Sequence, residues 1–236
     1  MSHSDTQKGL VFKLYHIARN YMLDQKRKLV EQFSQETHQR ILDIGCGTGY
    51  FLNYMKQHNW NTVGIEQDEN ARKFAESRFN LEVFPPEGIT SFAENSFNTI
   101  TLWHVLEHIH NLNAIMESIR HILTPDGTLV IALPNPDSYD AEKYKDFWAA
   151  YDVPRHLWHF KPDVIVRLCE QHGFSLITKK RMPLDGFYVS ILTEKYKGKG
   201  FLSLPLGILT GMFSMLAGWI NIDKTSSLIY VFKKNN

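Results

Sequence analysis

The sequence predicts an α/β protein built on a doubly wound, mostly parallel sheet, and three observations carry that prediction. Short apolar runs alternate with amphipathic helical segments from Arg40 to Phe174, the pattern of parallel strands joined by helical crossovers. The first apolar run, Ile41-Leu42-Asp43-Ile44, ends in Gly45-Cys46-Gly47-Thr48-Gly49 and passes at once into helical periodicity at Tyr50. Glycine lets a backbone turn sharply and lets a ligand approach it closely, and the helix behind it offers unpaired N–H groups. Finally, Gly and Pro punctuate the elements, as in Thr124-Pro125-Asp126-Gly127 and Pro134-Asn135-Pro136.

The elements follow in order. Residues 7–33 form a helical extension with apolar positions at Phe12, Tyr15, Ala18, Met22, Leu29 and Phe33. Strands are expected at 40–44, 62–66, 81–84, 98–102 and 128–133, with helices at 50–58, 69–79 and 112–123 between them. The Thr124–Gly127 tetrapeptide reads as a turn before the fifth strand, with Pro presetting φ and Gly closing it. A helix at 162–172 stops at Gly173, and strands at 175–182 and 227–233 complete the sheet. The domain reading is a helical cap over 1–38 and a catalytic domain over 39–236, within which 184–226 is an apolar helical insertion.

Composition narrows the function. The chain has 236 residues, 43% hydrophobic and 22% charged, enough for one domain with a real core. A net charge of +1 argues against a nucleic-acid partner. Two cysteines, Cys46 and Cys169, imply no disulfide framework, and the polar start carries no signal-peptide core, so the expected location is cytoplasmic. Residues 201–222 hold no charged side chain and approach the length of a membrane span. A single crossing conflicts with the strand that follows it. A packed lid and a surface resting on a membrane or taking a lipid-linked substrate both stay open.

The glycine spacing is G-x-G-x-G, whereas the dinucleotide fingerprint G-x-G-x-x-G would place its third glycine at Tyr50. That departure points to a smaller nucleoside ligand. Asp43-x-Gly45-x-Gly47-x-Gly49 followed by Glu66, with Trp103-His104-Val105-Leu106-Glu107-His108-Ile109 and Leu123-Thr124-Pro125-Asp126-Gly127-Thr128-Leu129, resembles the class I S-adenosylmethionine-dependent methyltransferases. The branch it resembles includes ubiquinone-biosynthesis-type and uncharacterised small-molecule enzymes. The resemblance is strong from Arg40 to Phe174 and weak at both ends. It implies a Rossmann-like, seven-stranded sheet whose last two strands are an antiparallel pair, with S-adenosyl-L-methionine as cofactor and S-adenosyl-L-homocysteine as product.

Glu66 stands about 20 residues past the glycine turn, the spacing of a carboxylate that reaches ribose hydroxyls. Cofactor contacts are therefore expected from Asp43, Gly45, Cys46, Gly47, Gly49, Tyr50, Glu66 and Gln67, and, where the methionine end would lie, from Trp103 and His104 after the fourth strand. The resemblance adds an acidic residue after the third strand, for which Glu87 is the candidate. Asp43 serves equally well as a brace for the loop. The connection from Tyr151 to Phe160 gathers aromatics, a guanidinium and two histidines, so Tyr151, Arg155 and Trp158 are candidate acceptor-binding residues. His104, His156 and His159 are the candidate general bases, because imidazole titrates near neutrality. No spacing typical of a metal site appears, so no metal is expected.

The expected activity is methyl transfer to a small-molecule acceptor, with hydrophobic, lipid-linked and glycan-pathway acceptors all open. A non-catalytic protein that binds S-adenosylmethionine or S-adenosylhomocysteine is the alternative. An NAD-dependent oxidoreductase is disfavoured by Tyr50. The acceptor atom and the oligomeric state are not legible in the sequence.

Overall fold

Side-chain alternation along the strands decides the architecture. In the computed structural model, which describes residues 10–34 and 39–235, the elements run α1 (Leu10–Phe33), β1 (Arg40–Ile44), α2 (Tyr50–Gln57), β2 (Asn61–Ile65), α3 (Glu69–Phe79), β3 (Glu82–Phe84), β4 (Phe97–Trp103) and α4 (Leu112–Ile122). They continue as β5 (Leu123–Pro134), α5 (Tyr139–Tyr144), α6 (Pro162–Gln171), β6 (Phe174–Arg181), α7 (Asp185–Tyr196), α8 (Ser203–Ile220) and β7 (Ser227–Lys234). Residues 7–9 of the expected first helix, and the expected apolar positions Phe12 and Tyr15, lie outside what is described of that segment's side chains.

The seven strands form one sheet in the order β3-β2-β1-β4-β5-β7-β6. All neighbours are parallel except β7, which runs antiparallel to both β5 and β6. Strand order reverses between β1 and β4, and the crevice beyond their carboxyl ends is where open α/β sheets bind ligands.

Odd and even residues face opposite layers. Leu42, Ile44, Ile100, Leu102, Leu129, Ile131, Tyr230 and Phe232 pack on Met116 and Ile119 of α4 and on Ile165 and Cys169 of α6. Ile41, Val130, Ala132, Ile229 and Val231 face Val30 of α1 and Phe51, Leu52 and Met55 of α2. Burying residues of this size contributes about 1.5–3 kcal/mol each, which is what holds the layers together.

The foot of α1 is pinned at the amino ends of the central strands. Thr128 Oγ1 donates to the Phe33 carbonyl at 2.8 Å, and the Ser34 and Thr99 hydroxyls meet at 2.9 Å. From there α1 rises along the sheet toward the ligand-binding rim.

One expectation is corrected. Residues 124–127 are not a turn before the fifth strand but an irregularity inside it, because β5 already begins at Leu123. Pairing with β4 jumps from Phe97↔Leu123 to Thr99↔Thr128, so the Pro-Asp-Gly chemistry bends a strand that stays bonded on both sides. Asp126 takes φ 59, and Lys233 Nζ donates to its carbonyl at 2.7 Å.

Candidate active site

The glycine loop follows β1 and caps α2. Gly45, Gly47 and Gly49 take φ of 74, 54 and 78, a region that favours glycine. Their spatial needs differ. A Cβ on Gly45 would lie 2.3 Å from Val105 Cγ2, and one on Gly49 would lie 2.6 Å from Leu81 Cδ1, whereas one on Gly47 meets nothing within 4 Å among the described residues. Two of the glycines therefore serve packing, and Gly47 presents bare backbone to open space. Glu66, half-buried at the end of β2, accepts from the Gly47 N–H at 2.8 Å and from the Asp68 N–H at 2.9 Å. Each carboxylate oxygen keeps a further lone pair for a hydroxyl.

Asp43 and Thr101 are register partners on β1 and β4 and share a face. Thr101 Oγ1 donates to Asp43 Oδ1 at 2.6 Å, and the carboxyl is only 3% exposed. Burial pushes the Asp43 pKa up to about 7, against the opposing pull of Thr101 and the Lys26 ammonium. Lys26 comes from α1. Its Nζ stands 4.2 Å from the Trp103 ring centroid, and burial pushes its pKa down to about 8 despite the Asp43 and Asp185 carboxylates. Trp103 in turn meets Phe51 edge-on at 5.6 Å.

His104 leaves β4 in the left-handed region, φ 56, with its N–H held by the Ala132 carbonyl at 3.0 Å. Its Nε2 lies 3.1 Å from Met182 Sδ and its Nδ1 3.6 Å from Glu107 Oε1. Burial pulls the His104 pKa down, but Glu107 and Asp185 outweigh it and the value is raised. His104 and His108 do not share a helical face, because only Leu106–His108 form a short 3-10 turn.

Glu107 is 1% exposed, and neither of its carboxylate oxygens accepts a hydrogen bond from the described residues. His156 Nε2 is 3.9 Å from the same Oε1, and burial holds the His156 pKa below its ordinary value. His108 Nδ1 and His156 Nδ1 bond to the Arg155 and Ala150 carbonyls at 2.9 Å each. Glu107, His108 and His156 thus bring one ligand atom each within 4.8 Å of one another, a set with the chemistry to take a cation or to relay a proton.

A cavity of about 550 Å³ opens beside this rim, between α1 and the α7–α8 hairpin. Met22, Lys26, Met182, Phe187, Met215 and Trp219 are among the residues that line it. Lys26 is thus shared between the cavity and the crevice at the glycine loop.

The remaining expected residues fall as follows. Cys46 is buried, and burial followed by the Asp43 and Glu66 charges pushes its thiol pKa up, which makes it a wall rather than a nucleophile. Tyr50 packs edge-on to Phe79 at 5.1 Å, with the Arg19 guanidinium 4.1 Å above its ring. Gln67 and Glu87 are exposed, Gln67 on the β2 exit and Glu87 on the 3-10 turn after β3.

Tyr151, Arg155, Trp158 and His159 wrap the far side of the Glu107 turn. Arg155 is paired with Asp152 at 2.7 Å, Trp158 Nε1 donates to the Ile109 carbonyl at 2.9 Å, and His159 Nε2 is bonded to the Tyr151 carbonyl at 3.0 Å. None of these four lines the cavity. Sequence reasoning missed Lys26, Glu107 and Met182. The unusual signal for Glu107 was an acidic residue between two histidines; Lys26 and Met182 carried no local signal.

A strand–glycine loop–helix at the reversal of strand order, a carboxylate closing β2 and an antiparallel β7 together define the class I S-adenosylmethionine-dependent methyltransferase architecture. Residues 16–179 match the family described as a methyltransferase domain, and the chain belongs to that family. An uncharacterised protein of Methanocaldococcus jannaschii is 28% identical over 153 residues, 64% of this chain and 65% of that protein. A ubiquinone biosynthesis O-methyltransferase of Actinobacillus pleuropneumoniae is 30% identical over 175 residues, 66% of this chain and 72% of its own. Among solved structures, a SAM-dependent methyltransferase from Archaeoglobus fulgidus superposes with a TM-score of 0.61 at 19% identity, covering 96% of this chain and 100% of that one. The stretch aligned to the archaeal relative stops short of two thirds of its length.

Proposed function

We propose that the chain methylates a small hydrophobic acceptor that enters the cavity between α1 and the α7–α8 hairpin. The observation that carries this reading is the position of Lys26, which lines that apolar cavity and also stacks on Trp103 at the glycine-loop crevice. Gly47 tests the fit of the cofactor: its missing Cβ leaves bare backbone facing open space beside the Glu66 carboxylate. When bound, S-adenosylmethionine supplies an already activated methyl group on a sulfonium.

The chain's own residues do the rest. The loop from Gly45 to Gly49 and Glu66 hold the nucleoside, and Lys26 offers its cation to the carboxylate of the methionine end. Phe187, Met215 and Trp219 exclude water and orient the acceptor. His104 takes the acceptor proton, and the Glu107 carboxylate 3.6 Å away favours the charged ring that results.

Product analysis with radiolabelled methyl donor tests the acceptor class. In a series of phenols that differ only in the length of an apolar tail, kcat/KM rises about fourfold per methylene while the tail remains inside the cavity. A flat dependence on tail length, or no transfer to any member, counts against this reading.

A further inference from the structure

Amphipathic helices of globular domains bury their large apolar side chains and show polar ones to water. Helix α8 does the reverse. Its buried face is Ser203, Gly207, Thr210, Gly211, Ser214 and Gly218. A Cβ on Gly207 would lie 2.5 Å from Ile191 Cα, and one on Gly211 would lie 2.6 Å from Phe187 Cδ1, so the small residues set how closely α8 packs on α7. The opposite face is solvent-exposed and apolar. Leu209, Met212, Phe213 and Leu216 are 48, 46, 47 and 44% exposed, and Phe201 and Ile220 at its two ends are 88 and 89% exposed. A contiguous patch of this kind on a soluble domain marks an interaction surface.

Its surroundings specify the partner. No charged residue occurs from Gly200 to Ile222, and the end of α7 and the turn that follows carry Lys195, Lys197 and Lys199 with no acidic residue among them. All three lysines lie in an exposed stretch. Apolar side chains beside a cationic cluster complement an anionic lipid surface. Packing through small residues is also how helices associate when their outer faces meet lipid.

The orientation follows from the sheet. β6 and β7 are hydrogen-bonded neighbours, so the chain enters and leaves the hairpin on one side and does not cross a bilayer. Exposure at both ends of α8, as well as along its middle, fits a helix lying flat. We infer that α8 and the preceding lysine turn dock the enzyme in the plane of an anionic bilayer. Met215 and Trp219 of the same helix line the cavity, so docking sets that cavity against the lipid. What docking serves rests on the proposed acceptor class; docking itself does not.

Flotation with vesicles tests it, using the full chain, phosphatidylcholine alone or mixed with phosphatidylglycerol, at low and high salt. Wild type floats with the anionic vesicles, and its partitioning falls about tenfold on neutral ones or in high salt. The Leu209→Glu/Leu216→Glu double variant stays at the bottom, and Lys195→Glu/Lys197→Glu/Lys199→Glu loses the preference for anionic lipid. Titration of each preparation with S-adenosylhomocysteine shows that the variants are folded. Wild type failing to float with either vesicle, or floating unchanged in the Leu→Glu variant, overturns the inference. So does light scattering that shows a dimer dispersed by that variant, since a second copy then covers α8. Retained S-adenosylhomocysteine binding in such cases leaves the methyltransferase reading standing, and its loss in wild type speaks against that reading alone.

Discussion

At the residue scale, the site is governed by ionisable groups held away from water. Asp43 has its pKa raised from 3.8 to about 7, so the folded state keeps a proton that the unfolded chain releases. A raised folded pKa gives stability that is fully present below about pH 4 and is lost as pH rises through about 7. The expected outcome is that Tm declines across that window in wild type and that Asp43→Asn flattens the decline, read by thermal melts from pH 4 to 8. His104 supplies a second pH signature. As the proposed base it must be neutral, and Glu107 and Asp185 hold its proton on, so kcat rises with pH along an acid limb displaced above 6.5. Glu107→Gln removes one of those charges and moves the limb to lower pH, whereas a merely structural role for Glu107 leaves the limb in place. Glu66 was legible from its spacing to the glycine turn. Lys26 and Met182 were not, because their roles come from contacts across α1 and β6 that leave no local pattern.

At the element scale, the glycine loop separates folding from binding. Gly45→Ala places a methyl against Val105 in a left-handed backbone and destabilises the fold by more than about 2 kcal/mol. Gly47→Ala meets no neighbour among the described residues, so it costs only the backbone strain of about 1–2 kcal/mol, yet it fills the space proposed for the cofactor. Melting curves alongside cofactor titrations distinguish the two, and equal losses of binding per unit of stability contradict this division. The hairpin has its own keystone. Asp140, fully buried, accepts from Trp148 Nε1 at 2.8 Å, Ser214 Oγ at 2.7 Å and Ser226 Oγ at 2.8 Å. Asp140→Ala strands three donors and costs roughly 2–4 kcal/mol, seen first as protease sensitivity in α7 and α8. The β/α alternation was plain in the sequence because each strand and helix keeps its own period. The irregularity at 124–127 was hidden, because Pro-Asp-Gly reads as a turn whether or not both flanks stay bonded to β4.

At the scale of the whole molecule, the common methyltransferase sheet carries the glycine-loop crevice, and on the proposed reading α1 together with the helices beyond the family match builds the acceptor side. α1 brings Lys26 over Trp103, and α7 and α8 close the cavity with Phe187, Met215 and Trp219. That division explains why the cofactor half was readable from motifs while the acceptor half needed three dimensions. The Tyr151–Phe160 connection is dense in aromatics and histidines, yet its Arg155 and Trp158 are occupied by Asp152 and the Ile109 carbonyl. The measurement that bears most directly on the central claim is calorimetric titration with S-adenosylhomocysteine of wild type and Glu66→Ala. The account predicts binding in the micromolar range, weakened about 10- to 100-fold when the charged acceptor at the glycine loop is removed. A folded wild type that binds no S-adenosylhomocysteine, or a Glu66→Ala variant that binds it equally well, would contradict the placement of the cofactor on which everything else depends.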